Sequence, residues 1–242
     1  MEMKKLSIQQ AEILAGRFRA LNELGPSEPI EAKTLLRKLQ ISIMYRPLSS
    51  TSFGISCKSP SNKMFMLINS NSTRGRQHFT IAHELYHLYF DENPTPHMCS
   101  GATTMEEKNA DLFASVLLLP REGVYAMLST DEILQHDVKL ATILRIEQLF
   151  QVSRSMLLIR LKDIGVISEN KRQELQMIPV KESAMNYGYD KSLYESGNDG
   201  VFIGDFGEKA RLLFETGKIS EGHYTELLNM ISNGREKDSD SA

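Results

Sequence analysis

The sequence predicts an α+β fold, with a small three-stranded sheet over two helices and further helical elements after them. Three observations predict it. The stretches ISIMYR (41–46), SFGISCK (52–58) and KMFMLIN (63–69) have strand composition and are separated by PLSST and SPSN, which are turn compositions. Three short strands in succession predict an antiparallel meander. From Thr73 onward apolar residues recur at helical spacing. Finally, 242 residues at 41% hydrophobic can bury a core without disulfide staples.

Taken in order, residues 7 to 24 place Ile8, Ala11, Leu14, Ala15, Phe18 and Leu21 along one helical stripe, and GPSEP (25–29) ends it. IEAKTLLRKLQ is a second, shorter helix. After the strands, TRGRQHFTIAHELYHLYF reads as one helix capped by Ser72 or Thr73, stopping before Pro94 and Pro96. A loop at about 91–103 leads to the helix TMEEKNADLFASVLLL (104–119). Pro120 opens another helix to about Leu128, in the first-turn position that proline tolerates. LATILRIEQLFQVSRSMLLIRLKDIG (140–165) reads helix, turn, helix, with Ser153 capping the second. NYGYDKSLYESGNDG (186–200) reads as loop, two helices follow near 206–216 and 220–232, and the polar tail REKDSDSA frays. The expected units are 1–128, carrying the sheet and the motif below, then a helical unit 129–180, then a helical extension 181–242.

A formal net charge of −3 argues against nucleic acid as the main partner. No apolar run approaches the length of a membrane span, and MEMKKLSIQQAEILAGRF reads as an amphipathic helix rather than a secretory signal. Cys57 and Cys99 are far apart and in no CxxC arrangement, which suits a reducing compartment, so the expected location is the cytoplasm.

The chemistry concentrates in RQHFTIAHELYHLYF (76–90), which holds three of the six histidines. Residues four apart share a helix face, so His83 and His87 can aim ring nitrogens at one point. Imidazole suits zinc. Glu84 projects about 100° from His83, badly placed to ligate and well placed to reach a water on the metal as a general base. The motif alone also occurs by chance. Here Phe79, Ile81, Ala82, Leu85, Leu88 and Tyr89 wrap the helix in apolar side chains. Burying imidazoles and a carboxylate there without partners would cost several kcal/mol.

A catalytic zinc site takes three protein ligands and leaves one position open. The extended pattern HExxHxxGxxH is excluded, because Phe90 and Asn93 stand at its glycine and last histidine positions. A glutamate from the next helix is the other source. Glu107 is chosen, since it shares a face with Ala110, Asp111 and Ala114, whose small size lets that helix approach. Glu106 is its rival, and His97 a further alternative. Asp111 could accept a hydrogen bond from a ligand histidine.

Ile68-Asn69, RQHFTIAHELYHL and EEKNADLFASVLLLP in this order resemble the ImmA/IrrE family of zinc-dependent metallopeptidases. In the second motif the matching residues are Glu107, Ala110, Asp111, Phe113, Ala114, Leu118 and Pro120. The resemblance implies a compact zincin-like, gluzincin-type fold with one zinc held by His83, His87 and Glu107, and Glu84 as catalytic base. It implies a protein substrate, a helix-turn-helix transcriptional repressor, cut in regulatory proteolysis on a mobile element or in a stress response. One departure is Tyr86, where the family commonly has a small residue, so the ring must find room or lie near the cleft.

Two other readings compete. Segment 140–165 could be a DNA-reading helix-turn-helix, with Arg154, Ser155 and Arg160 toward the duplex and the metal site non-catalytic. Alternatively the metal could be structural, although such a site needs no base. On chemistry alone, Tyr86, Tyr125, His97 and Arg121 could stabilise an oxyanion.

Overall fold

Along Ile41–Arg46 (β1) burial alternates residue by residue, with Ile41, Ile43 and Tyr45 inward. That is the period-two pattern of a sheet with one covered face. The computed structural model describes residues 5–91, 97–99 and 104–232. Before β1 come two helices, Ile8–Leu21 (α1) and Ala32–Lys38 (α2). Ser7 closes a capping box with Gln10 at the start of α1. Strands Gly54–Lys58 (β2) and Met64–Asn69 (β3) follow, then the long helix Arg74–Phe90 (α3), a short strand His97–Cys99 (β4) and helix Met105–Leu118 (α4). The rest is helical, with Arg121–Tyr125 (α5), Thr130–Gln135 (α6), Leu140–Phe150 (α7), Arg154–Asp163 (α8), Glu169–Gln176 (α9) and Val180–Asn186 (α10). Strand Phe202–Ile203 (β5) precedes the last helices, Phe206–Glu215 (α11) and Glu221–Ser232 (α12).

The sheet corrects the expected three-stranded meander. It has five strands in the order β4-β2-β3-β1-β5. β1 does not pair with β2. It runs parallel to β3, from Ile41 opposite Met64 to Arg46 opposite Asn69, while β2 lies antiparallel on β3's other edge. Asn69 explains this path at one end. Its side-chain amide donates to Ser49 O and Ser52 O, and its Oδ1 accepts from Leu48 N and Asn71 N, so the chain leaving β1 is pinned to the end of β3. The extra strands are three and two residues long, too short to carry an alternation signal. β4 falls inside the expected loop at 91–103.

Other elements stand near where their patterns place them. Thr73 caps α3 through Arg76 N, Thr104 caps α4 through Glu107 N and Ser153 caps α8 through Met156 N. The helix opened by Pro120 is shorter than expected and ends at Tyr125. The expected break at Pro94 and Pro96, and the expected frayed tail, lie outside the described residues.

One apolar cluster runs from Ala11 in α1 through the inner sheet face, α3 and α4 to Leu157 and Leu161 in α8. Two buried guanidinium groups close the C-terminal end of α4, whose last carbonyls lack helical partners. Arg19 donates to Leu117 O, and Arg160 to Leu119 O.

Arg160 therefore does not face solvent. It is 1% exposed and also pairs with Glu12. Arg154 is 2% exposed and pairs with Glu147, which accepts a further hydrogen bond from Tyr194. The turn between α7 and α8, with Gln151 in the left-handed conformation, packs against the first turns of α3. A Cβ at Gly75 would lie 3.1 Å from Ser153 N, and His78 Nδ1 donates to Gln151 O at 3.1 Å. Of the three residues the DNA reading would aim at a duplex, only Ser155 is exposed. The sequence could not tell a basic residue that reads phosphates from one that buries its charge on an internal carboxylate.

Phe113 is fully buried and its ring meets Phe18, Tyr86 and Phe90 at 5.2–5.9 Å. Phe113→Ala is expected to cost about 3–5 kcal/mol of unfolding free energy. Urea denaturation followed by far-ultraviolet circular dichroism measures it, and a loss under 1 kcal/mol would contradict this packing.

Candidate metal centre

The centre lies where α3 crosses α4 against the end of β2. His83 and His87 are one turn apart on α3, 1% and 3% exposed, and their Nε2 atoms are 3.1 Å apart. Glu107, in the first turn of α4 and 6% exposed, brings Oε2 to 3.4 Å from His83 Nε2 and Oε1 to 3.6 Å from His87 Nε2. Glu106, the rival, is half-buried and belongs to neither cluster of metal-ligating groups. Ala110 and Ala114, both fully buried, leave room for α4 to approach α3.

Carboxylates outside this triangle set the tautomers. His83 Nδ1 donates to Asp111 Oδ1 at 2.9 Å, and His87 Nδ1 donates to Asp91 Oδ2 at 2.6 Å. Each ring then presents Nε2 inward, toward the other ring. In the metal-free protein one proton between the two Nε2 atoms joins them across 3.1 Å, and a divalent ion could take its place. Two ligands of a tetrahedral zinc lie about 3.3 Å apart, given bonds of about 2.05 Å. The Nε2–Nε2 separation and the two separations from Nε2 to the Glu107 carboxylate, which fall on its two different oxygens, bracket that value. The residues therefore fit a divalent ion.

Glu84 has no exposure. Ser56 Oγ donates to its Oε2 at 2.5 Å, and His97 Nδ1 donates to the same oxygen at 3.2 Å. Its Oε1 is buried with no hydrogen-bond partner among the described residues. A buried carboxylate oxygen left so is costly, which again suits a site that takes up polar guests. Gly54 makes the approach of β2 possible, because a Cβ there would lie 2.6 Å from Thr80 Cγ2 and 3.3 Å from Glu84 Oε1.

Charge is strongly coupled here. Burial pulls the His83 imidazole down, but hydrogen bonds with Asp111, Cys99 and Glu107 outweigh it and push its pKa up to about 12. Burial likewise opposes, and Glu107 and Glu84 overcome, a rise in His97 to about 9. Burial would raise Glu107, yet His83 and His97 hold its carboxyl well below the usual carboxylate range.

Of the residues considered for an oxyanion, only His97 is at the centre, with Nε2 2.6 Å from Glu107 Oε1. Tyr86 is 5% exposed and finds its room in the core, against Phe90 and Phe113. Tyr125 donates to Ile164 O, and Arg121 pairs with Glu12. Sequence reasoning missed Asp91, Ser56, Gly54 and Cys99. Asp91 was accessible, standing four residues after His87, whereas Ser56 and Gly54 depend on which strand passes over α3.

A buried imidazole–carboxylate set able to hold a metal, with another carboxylate beside it on an α+β scaffold, is the architecture of a metallopeptidase. The Peptidase_M78 family model, the IrrE N-terminal-like domain, matches residues 36–162, just over half of the chain and all of these residues, and the chain belongs to that family. No curated protein matches it. No helix among the described residues is long and apolar enough to cross a membrane.

Both raised imidazoles carry a proton at neutral pH in the metal-free protein. This stabilises the metal-free fold fully below pH 6.5 and is lost as pH rises through about 9 for His97 and about 12 for His83. A metal must displace the His83 proton, so zinc uptake should release protons. Apparent affinity should rise about tenfold per pH unit for each proton displaced across the neutral range. Calorimetric titration in two buffers of different ionisation enthalpy measures this, and a pH-independent affinity would contradict it.

Proposed function

We propose that the chain is a zinc-dependent endopeptidase, with His83, His87 and Glu107 as metal ligands and Glu84 as general base. The observation that carries this reading is the convergence of two Nε2 atoms, 3.1 Å apart, on the Glu107 carboxylate, whose Oε2 lies 3.4 Å from one and Oε1 3.6 Å from the other, each imidazole backed by a further carboxylate. Two histidines one turn apart and a glutamate from a later helix form a gluzincin-type set, and imidazole with carboxylate donors suits zinc.

A bound divalent ion polarises a carbonyl and lowers the pKa of water to about 7. The rest falls to side chains of this chain. Glu84 follows His83 on the same helix and lies beside the triangle. Ser56 and His97 occupy Oε2 and so fix the carboxylate's orientation, which leaves Oε1 to take a proton from the attacking water. Oε1 then delivers that proton to the leaving amine nitrogen as the peptide C–N bond breaks. Asp111 and Asp91 keep the ligand rings in the tautomer that presents Nε2.

Membership of a peptidase family implies a protein substrate. The resemblance to ImmA/IrrE proteins supports a narrower reading, in which the substrate is a helix-turn-helix transcriptional repressor and its cleavage is regulatory.

Glu84→Gln is expected to keep the zinc content of the parent and to slow cleavage of a helix-turn-helix repressor substrate by about 10²–10⁴-fold. His83→Ala and His87→Ala should lose the zinc itself. Elemental analysis and a gel-based cleavage assay read the two effects, and full cleavage by Glu84→Gln would remove Glu84 as the base.

A further inference from the structure

Strand β4 reaches the centre from the sheet edge. It pairs antiparallel with β2 through Gly54 opposite Cys99, Ile55 opposite Met98 and Ser56 opposite His97. Residues two apart on a strand face the same way. His97 and Cys99 accordingly turn inward, and Met98 is 55% exposed. Cys99 is a free thiol, 6% exposed, whose sulfur lies within 4.8 Å of ligand atoms of both His83 and Glu107. A tetrahedral zinc places sulfur and nitrogen ligands about 3.6 Å apart, so a small inward shift of a three-residue strand completes the set. The His97 ring stacks on His87 with centroids 3.6 Å apart and its two nitrogens hold Glu84 and Glu107.

A peptidase needs its fourth coordination position for water. Here one edge strand brings a thiol to that position. We propose that β4 is an intrasteric cap, in which Cys99 Sγ is the fourth metal ligand of the closed centre. This rests on the reading of His83, His87 and Glu107 as the metal set. As the sulfur–metal bond forms, the thiol proton leaves to solvent. On opening, water replaces the sulfur and the thiolate takes a proton back, so no oxidant or reductant is needed. Among the described residues β4 pairs with no strand but β2, so an extended segment pairing with β2 would displace the cap and deliver a backbone to the centre together.

The test uses the full chain, freed of metal and titrated with cobalt(II). The parent and Cys57→Ser should bind one cobalt with a sulfur-to-cobalt charge-transfer band in the near ultraviolet. Cys99→Ser, nearly isosteric, and Cys99→Ala should bind one cobalt without it. In Cys57→Ser the remaining thiol should alkylate at least about tenfold more slowly with zinc than without, because a coordinated sulfur is a poorer nucleophile than a free thiolate. Cobalt bound by the parent with no sulfur band, or alkylation indifferent to zinc, overturns the cap and leaves the three-ligand centre standing. If the parent binds no more cobalt than His83→Ala, the metal set itself fails and the cap with it.

Discussion

His83 and His87 point their Nε2 atoms at each other across 3.1 Å, in a place with almost no access to water. That contact governs the centre. Neither ring can turn away, because Asp111 and Asp91 hold the opposite nitrogens. A positive charge between the two nitrogens, the His83 proton in the metal-free protein, joins them, and Glu107 supplies the negative charge beside it. The surrounding packing serves this arrangement. Alanines bring α4 close, Gly54 brings β2 over Glu84, and Phe113 with Tyr86 packs behind α3.

The same physics assigns the helical region after α4. A helix-turn-helix that reads DNA presents its basic residues on an exposed face. In α8 the two arginines are nearly inaccessible, and each has a carboxylate partner. Removing one partner of such a pair leaves an uncompensated buried charge, which is far more damaging than losing a surface ion pair. Arg160 joins α8 to both α1 and the end of α4, so this pair of helices braces α3 and α4 rather than facing outward.

Much of the centre was legible in the sequence. Helical spacing places His83 and His87 on one face, and the small residues at 110 and 114 select Glu107 over Glu106, because a carboxylate is useful only where its helix can approach. Asp111 follows from the same face. What was not legible depends on contacts between segments remote in sequence. Ser56 reaches Glu84 because β2 crosses α3 at that level, and no local pattern encodes a crossing point. β4 and β5 are too short for periodicity to register. β1 and β3 have strand composition whichever way they pair, so the parallel arrangement is decided by the loops, where Asn69 holds the departing chain.

The family match ends at residue 162, yet the centre's supports continue past it. Gln77, on the second turn of α3, donates to Ser70 O, Ser72 O and Gly197 O, while Asn198 donates to its Oε1. Arg74 N donates to Glu195 O, and β5 pairs with the outer edge of β1. The N-terminal end of α3 is thus clamped by residues 195 to 203. A helix whose first turns are fixed transmits little rotation to His83 and His87 two turns further on. Distances within a few tenths of an ångström of those a metal requires can persist only on such a rigid helix, because a rotation of 10–20° already spoils a ligand geometry. The distal chain is therefore part of what sets the centre, although it contributes no ligand.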